Sequence, residues 1–218
     1  MKMIRVAVVA STAGSVLGKV LSVPYVRDRV CTVFSDRECG AIEVAKRFGV
    51  RSRVITSNKG ADFSDSLRAE FEIDPHDLIV SFYTKLFRGD FLVAAEGKLI
   101  NFHPSILPAC PGRDGFGDTI RSGSTFIGAT VHFIDQGMDT GSPIIQSAIP
   151  FDPAIDTDLS RHQVFVSQCK MFIQVVHWFE GSRVVYKKGE RPTIKDAIYR
   201  RAGFSPNLDF EQAIDFNV

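Results

Sequence analysis

The sequence predicts an α/β fold, a mainly parallel twisted sheet flanked by helices, and three observations carry that prediction. The chain opens on a Val-rich apolar run, Ile4 to Ala10, of the kind a strand buried on both faces requires. Strand-like runs then alternate with helix-like segments long enough to make right-handed crossovers between parallel strands. The composition, 44% hydrophobic over 218 residues, is ample for a buried core.

The elements follow in order. After the first strand, Ser11-Thr12-Ala13-Gly14-Ser15 forms a small-residue turn and Val16 to Leu21 reads as a helix. A strand, a turn and a helix start make a natural anion site. Only Gly14 and Gly18 are present, however, so there is no dinucleotide fingerprint, and a plain tight turn accounts for the stretch equally well. Arg29 to Phe34 is the second strand. Glu38 to Phe48 is a helix with Ala41, Val44, Ala45 and Phe48 on one side and Gly49 as its stop. Val50 to Ile55 is a third, shorter strand, Asp62 to Phe71 a helix, and Asp77 to Phe82 the fourth strand. Tyr83-Thr84-Lys85-Leu86-Phe87 leaves that strand; its aromatics either wall a flat ligand or fill the core. Phe91 to Ala95 is a short helix, and Lys98 to Phe102 the fifth strand.

The stretch Leu99 to Pro108 carries the chemistry. Pro104 ends the strand by fixing its own φ and biasing His103 away from helix. Asn101 and His103, two apart, share one face. An amide there can donate to a developing oxyanion, and an imidazole can move a proton near neutral pH. A polar-capped strand end is the plain alternative. Parallel sheets bind ligands beyond the carboxyl ends of their strands, and Gly14, Phe82-Tyr83 and His103 all fall on that edge.

A Pro/Gly-rich loop runs from Pro108 to Gly117, Thr119 to Ser122 turns helical, and Phe126 to Ile134 is a strand. His132 on it reads as a hydrogen-bonded structural residue. Asp139, between Gly137 and Gly141, reads by itself as a turn residue. Pro143 to Pro150 is a further strand and Asp158 to Phe179 a long helix. The tail from Lys187 holds Lys187-Lys188, Arg200-Arg201, Phe204 and Phe210, and is either solvated or a docking segment. The expected organisation is one domain over residues 1–186 with a tail over 187–218.

Charge and cysteines exclude several classes. With 26 Lys+Arg against 25 Asp+Glu, no global charge favours nucleic acid or an anionic membrane. Cys31, Cys39, Cys110 and Cys169 form no CxxC pair and no zinc spacing, which suits reduced thiols in the cytoplasm. The first apolar run is too short for a signal peptide, and none approaches the ~18–20 apolar residues of a membrane span. There is no internal repeat and no low-complexity segment.

Asn101-Phe102-His103-Pro104-Ser105-Ile106-Leu107-Pro108, Gly128-Ala129-Thr130-Val131-His132-Phe133 and Asp139-Thr140-Gly141 together resemble the folate-dependent formyltransferases, whose fold is Rossmann-like. The likeness is ungapped from about Phe82 to Gln146 and looser from Ile4 to Gly181. It implies transfer of a formyl group from 10-formyltetrahydrofolate, as cosubstrate, to a primary amine, without a metal. The leading acceptor it implies is glycinamide ribonucleotide of purine biosynthesis. It implies catalytic roles for Asn101, His103 and Asp139. It places the folate pteridine against Tyr83, Thr84, Lys85, Leu86 and Phe87 and against Asp135, Gln136, Gly137 and Met138, with Leu86 and Phe87 flanking it. Gly14 and Ser15 match a phosphate-gripping turn, and Gln168 stands where the family has a Glu that holds the acceptor's ribose. The partners it implies are small molecules, with neither nucleic acid nor membrane, and a homodimer is left open.

The sequence departs from the family on the acceptor side. Val16 replaces an Asn, Arg113-Asp114-Gly115-Phe116 a stretch that normally carries His, and Gln168 a Glu, while in the folate segment Lys85 replaces an Arg. An Arg-to-Lys change turns a planar fork into a point charge. An amino-sugar nucleotide is therefore the alternative acceptor. The resemblance implies that members acting on aminoacyl-tRNA carry a further C-terminal nucleic-acid domain, and none is expected here. A formyltetrahydrofolate hydrolase, expected to carry an N-terminal regulatory domain, and a silent folate-binding protein are the alternatives of another class.

Overall fold

The computed structural model describes residues 3–56, 62–200 and 203–217, and divides the chain into two compact units. Arg201, half of the tail's Arg pair, lies outside the described residues.

The first unit runs to Asn101 and adds Ile134–Gly137. In order it holds β1 (Val6–Ala10), α1 (Ser15–Val20), α2 (Pro24–Arg27), β2 (Val30–Ser35), α3 (Gly40–Arg47), β3 (Arg51–Val54), α4 (Phe63–Ile73), β4 (Leu78–Phe82), α5 (Asp90–Ala94) and the start of β5 (Leu99–His103). The strand order is β5-β4-β1-β2-β3, every pair parallel, as the strand–helix alternation predicts. All five residues of β1 are buried, which is why its sequence is a continuous apolar run rather than an alternating one. Ala7, Val9, Phe34, Ile79 and Leu99 form one core cluster with Phe63 and Leu67 of α4 and with Phe87 and Phe91. At the edge, β3 alternates exposed Arg51 and Arg53 with half-buried positions, and these arginines pair with Asp74 and Glu70. Charge on an edge strand discourages pairing with another chain.

The second unit comprises Phe102–Phe133 and Met138–Val218. Its elements are α6 (Gly115–Arg121), β6 (Phe126–Phe133), β7 (Pro143–Pro150), α7 (Thr157–Glu180), the short pair β8 (Val184–Val185) and β9 (Thr193–Ile194), β10 (Phe204–Ser205) and α8 (Glu211–Ile214). Here β6, β7 and β10 pair antiparallel, in the order β10-β7-β6. The short β8, β9, β10 and α8 lie beyond the last element the sequence reading named, and two earlier elements also differ from it. Short α2, with Pro24 at its first position, has no apolar period to announce it. Helix α6 begins four residues earlier than Thr119, because Asp114 caps it by accepting from the Gly117 amide at 3.2 Å.

The tail docks on α7 within this unit. The Asp209 carboxylate accepts from Trp178 Nε1 at 2.9 Å, Gln174 Nε2 at 2.8 Å and Arg183 at 2.6 Å. Gln174, fully buried in an apolar stretch of α7, also accepts the Asp209 and Phe210 amides through Oε1. Burial pushes the Asp209 carboxyl up, but its Arg183, Trp178 and Gln174 partners outweigh that and hold it below the usual carboxylate range. Phe210 stacks on His177 with ring centroids 4.1 Å apart.

Candidate active site

Three side chains converge in the second unit. His103, at the carboxyl end of β5, is 3% exposed. One ring nitrogen, Nε2, is 2.8 Å from the Cys110 carbonyl, and the other, Nδ1, is 3.4 Å from Asp139 Oδ2. The fold thus brings Asp139, 36 positions after His103, onto its ring, and Asp139 is more than a turn residue. His132 joins them: its Nε2 is 3.5 Å from Asp139 Oδ1, and its Nδ1 is 2.8 Å from the Phe133 carbonyl. A single carboxylate therefore faces two imidazoles, each anchored through its far nitrogen to a backbone carbonyl. Such an anchor fixes ring orientation and tautomer.

A backbone amide also holds the Asp139 side chain. The Gly112 amide donates to Asp139 Oδ2 at 2.8 Å. Burial pushes the Asp139 carboxyl up, but the His132 hydrogen bond, the Gly112 amide and the charges of both imidazoles outweigh it, so the group stays below the ordinary carboxylate range. It is a carboxylate at neutral pH. Its φ of 56° lies in the left-handed region, which a non-glycine residue adopts at a cost of order 1–3 kcal/mol and which clusters at functional sites. Gly141 follows where a Cβ would stand 1.7 Å from the Phe133 carbonyl oxygen, so only glycine lets the loop return so tightly on β6.

The loop after β5 is fixed from beneath by the motif residues. Buried Thr130 on β6 accepts the Leu107 amide at 3.0 Å and donates to the Ser105 carbonyl at 2.7 Å. Gln146 Nε2 donates to the Leu107 carbonyl at 2.7 Å and to Thr130 Oγ1 at 3.0 Å. Ser105 Oγ donates to the Ala109 carbonyl at 2.7 Å, with the Cys110 carbonyl at 3.1 Å. These bonds hold in place the carbonyl that holds His103. On the far side Gly115 abuts the ring: a Cβ there would stand 2.4 Å from His103 Nε2. Asn101 lies two residues before His103 on β5, half-buried, on the face that strand alternation shares with it.

Of the expected folate segments, residues 83–87 follow the carboxyl end of β4, and residues 135–138 come after β6 in sequence. Ser11 ties the turn after β1 to the segment after β4: its hydroxyl is 3.0 Å from Thr84 Oγ1 and accepts the Thr84 amide at 3.2 Å. Tyr83 packs between Phe63 and Phe87, with centroids at 4.9 and 5.1 Å. Burial, with the Asp36 and Asp62 charges behind it, pushes the Tyr83 phenol up to about 12. Phe87 is a core residue at 4% exposure, whereas Leu86 is exposed, so of the two only Leu86 presents a side chain to solvent. Lys85 donates to Asp36 at 2.7 Å. Asp135 and Gln136 are exposed, and Asp135 accepts the Gly137 amide at 2.9 Å in a tight turn. Met138, in the second unit, is half exposed.

Of the expected acceptor-binding residues, Gly14 has φ 76°, and a Cβ there would stand 2.7 Å from Ala41 Cα, so the turn tolerates no side chain. Ser15 beside it is exposed, while Val16 is buried in the core. Gln168 is half-buried on α7. Cys110, Gly112, Gly115 and His132 were not singled out as site residues from the sequence. Three of these act through backbone or through a missing side chain, which leaves no chemical signature. His132 had a signal in its two-residue spacing from Thr130 on one face of β6.

Known proteins resemble this chain over most of its length. The formyl transferase family model matches residues 4–176. A phosphoribosylglycinamide formyltransferase of Mycobacterium tuberculosis is 32% identical over 180 residues, covering 79% of this chain and 83% of its own. The crystal structure of glycinamide ribonucleotide transformylase 1 from Symbiobacterium toebii superposes with a TM-score of 0.81 at 29% identity, covering 89% of this chain and 95% of its own. That of Geobacillus kaustophilus gives 0.75 at 31% identity, covering 83% and 100%. With an imidazole–carboxylate pair built on the motif stretch and a family match over most of its length, the chain belongs to the formyl transferase family.

Proposed function

We propose that this enzyme transfers the formyl group of 10-formyltetrahydrofolate to the amine of glycinamide ribonucleotide in purine biosynthesis. The observation that carries the reading is the His103–Asp139 pair, 3.4 Å apart, in a chain whose family match runs from residue 4 to 176. The neutral amine attacks the formyl carbon, forming a C–N bond and an oxyanion. Asn101 donates to that oxyanion from its strand face, in the manner of an amide oxyanion hole. The amine gives up a proton as the bond to the folate nitrogen breaks, and that nitrogen takes one up. His103 moves the proton, with Asp139 holding its ring and balancing its charge as an imidazolium.

The folate pteridine is assigned to Tyr83, Thr84, Lys85, Leu86 and Phe87 and to Asp135, Gln136, Gly137 and Met138, largely through backbone groups. Gly14, Ser15 and Gln168 are assigned to the acceptor. Support for the backbone role comes from the bonds that fix Thr84 to Ser11 and Gly137 to Asp135. Buried Val16 offers no donor to an acceptor phosphate, which is the observation favouring an amino-sugar nucleotide as the second reading. Residues 1–186 are assigned to the formyltransferase domain and 187–218 to a docking segment, supported by the Asp209 contacts on α7. A cytoplasmic setting is supported by four free thiols.

The test is incubation with 10-formyltetrahydrofolate, with and without glycinamide ribonucleotide, measuring formylated amine and free formate by mass spectrometry. Formylated ribonucleotide with little formate in the amine-free control is the expected result. Formate released equally fast without amine would make the protein a hydrolase and overturn the reading.

A further inference from the structure

The tail is bound along one face of α7. Lys170 Nζ donates to the Ile214 carbonyl at 2.7 Å, Gln174 holds both Asp209 and the Phe210 amide, His177 stacks on Phe210, and Trp178 donates to Asp209. Lys170, Gln174, His177 and Trp178 recur at helical spacing, so residues 207–214 lie beside α7 for about two turns. Ala213 of α8, which packs on α7, is fully buried. This segment lies beyond residue 176, where the family match ends.

The same stretch of α7 has a second partner on its other side. Phe172 is two residues from both Lys170 and Gln174, about 200° around the helix, so it faces away from the tail. It is fully buried and stacks on Phe102 with ring centroids 5.5 Å apart. Phe102 precedes His103 on β5, and strand alternation puts their side chains on opposite faces. Gln168, one turn before Phe172, shares its face of the helix. Helix α7 is thus gripped between the tail and the strand end that carries His103. Close-packed interiors transmit a displacement across a helix rather than absorb it. A shift of Phe102 tilts the strand end, and with it the His103 contacts of 2.8 Å to the Cys110 carbonyl and 3.4 Å to Asp139.

We propose that residues 207–214 are a strap that, through α7, holds His103 in its working position, and that Asp209 is the positioning residue on which the strap depends. The proposal rests on the formyl-transfer reading for the reaction it serves, whereas the coupling itself is tested without substrate. Asp209 is the key residue because its carboxylate accepts from three partners, Gln174, Trp178 and Arg183, and the first two of these are fully buried. Without that carboxylate their donors stand unsatisfied, which a buried polar network does not tolerate, so the strap lifts or α7 moves.

The experiment compares wild type with Asp209→Ala and Asp209→Asn in the full chain. Hydrogen exchange followed by mass spectrometry, with no substrate present, reads the coupling directly. In Asp209→Ala the amides of residues 207–214, of α7 and of residues 102–110 are expected to exchange about tenfold faster, the value of one lost buried hydrogen bond. Trp178, the chain's single tryptophan, is expected to become accessible to acrylamide quenching in the same variant. Asp209→Asn keeps an oxygen for Trp178 and Gln174 but loses the charge facing Arg183, so it recovers part of the protection. If Asp209→Ala does not fold, Asp209→Asn carries the test, with residues 102–110 exchanging about threefold faster than in wild type. In steady-state kinetics Asp209→Ala should lower kcat about tenfold and raise the KM for glycinamide ribonucleotide, because Gln168 moves with α7, while the KM for 10-formyltetrahydrofolate stays within about twofold. A merely structural role would reduce only the folded fraction, and so kcat, with both KM values kept. Faster exchange confined to the strap, with residues 102–110 as in wild type, overturns the proposal. So does a kcat that falls only as far as the folded fraction with both KM values unchanged. Coupling at residues 102–110 without any formylated product supports this proposal and removes the formyl-transfer reading instead.

Discussion

Removing one hydroxyl from the second unit should loosen the active site without touching a reacting group. Thr130→Val is nearly isosteric, so it leaves no cavity. It deletes the oxygen that accepts the Leu107 amide at 3.0 Å and that donates to the Ser105 carbonyl at 2.7 Å. Gln146 loses one of two acceptors but keeps the Leu107 carbonyl at 2.7 Å. Two buried backbone groups are thus orphaned. At about 1–3 kcal/mol per unsatisfied group, with partial relaxation of the loop, the loss is roughly 3 kcal/mol. For a chain of this size that lowers Tm by roughly 6–12 °C. The Ser105–Cys110 loop then no longer fixes the carbonyl that orients His103, so kcat should fall by about tenfold or more even well below Tm, because misplaced catalytic geometry is expensive. Thr130→Ser keeps the hydroxyl and should restore most of the rate. Thermal unfolding followed by circular dichroism, with steady-state kinetics at 25 °C, reads both effects. A Thr130→Val protein with unaltered Tm and kcat would refute the claim that this hydroxyl holds the loop.

Three further outcomes follow. Asn101→Ala should cut kcat by ~10²–10³ with little change in the folate KM, and unchanged turnover in the folded variant would remove Asn101 from the mechanism. Asp139→Asn keeps the shape but loses the charge facing His103 and His132. Its rate should fall by ~10²–10⁴, and the pH–rate profile should shift, since the wild-type group stays ionised throughout the neutral range; an identical profile would reduce Asp139 to a scaffold role. His76 is buried between Phe34 and Phe71, and neither ring nitrogen has a hydrogen bond among the described residues. Burial is the main cause that lowers its pKa from 6.5, with Arg5 and Arg51 adding to it against Asp74. The unfolded chain therefore binds a proton more readily than the folded one. The stability tied to neutral His76 is full above 6.5 and is lost as pH falls from there through the lowered folded value. Urea unfolding at pH 7.5 and 5.5 should show the loss in wild type and a flatter dependence in His76→Phe; equal slopes would contradict it.

The fold was legible where side chains state a period. Because burial on both faces leaves no choice of residue type, the Val-rich run of β1 and the helix–strand alternation up to β5 indicated parallel strands, though not their order. Antiparallel β6, β7 and β10 were less legible, since strand direction depends on connection length and on pairs distant in sequence, such as Phe204 with Ser147. In the site, His103 and Asp139, which the structure brings together, were legible as motif residues. What arranges His103 and Asp139 was not: the Cys110 carbonyl, the Gly112 amide and the missing side chain of Gly115 are backbone features. The tail shows the same asymmetry. Asp209 looks like an ordinary surface acid in sequence, yet it gathers Gln174, Trp178 and Arg183 from an element that ends nearly thirty residues earlier or just beyond it. Gln174 in an apolar helical run is a local sign of a buried polar partner that the sequence reading did not use.

The most direct test of the central claim is kcat/KM for glycinamide ribonucleotide measured beside that for amino-sugar nucleotides, each with saturating 10-formyltetrahydrofolate. The account predicts that glycinamide ribonucleotide is the better acceptor by at least about tenfold, one hydrogen bond's worth of discrimination. An amino-sugar nucleotide with the higher kcat/KM by the same margin would contradict it, and would mean that buried Val16, Asp114 and Gln168 mark the acceptor more faithfully than the chain's overall likeness does.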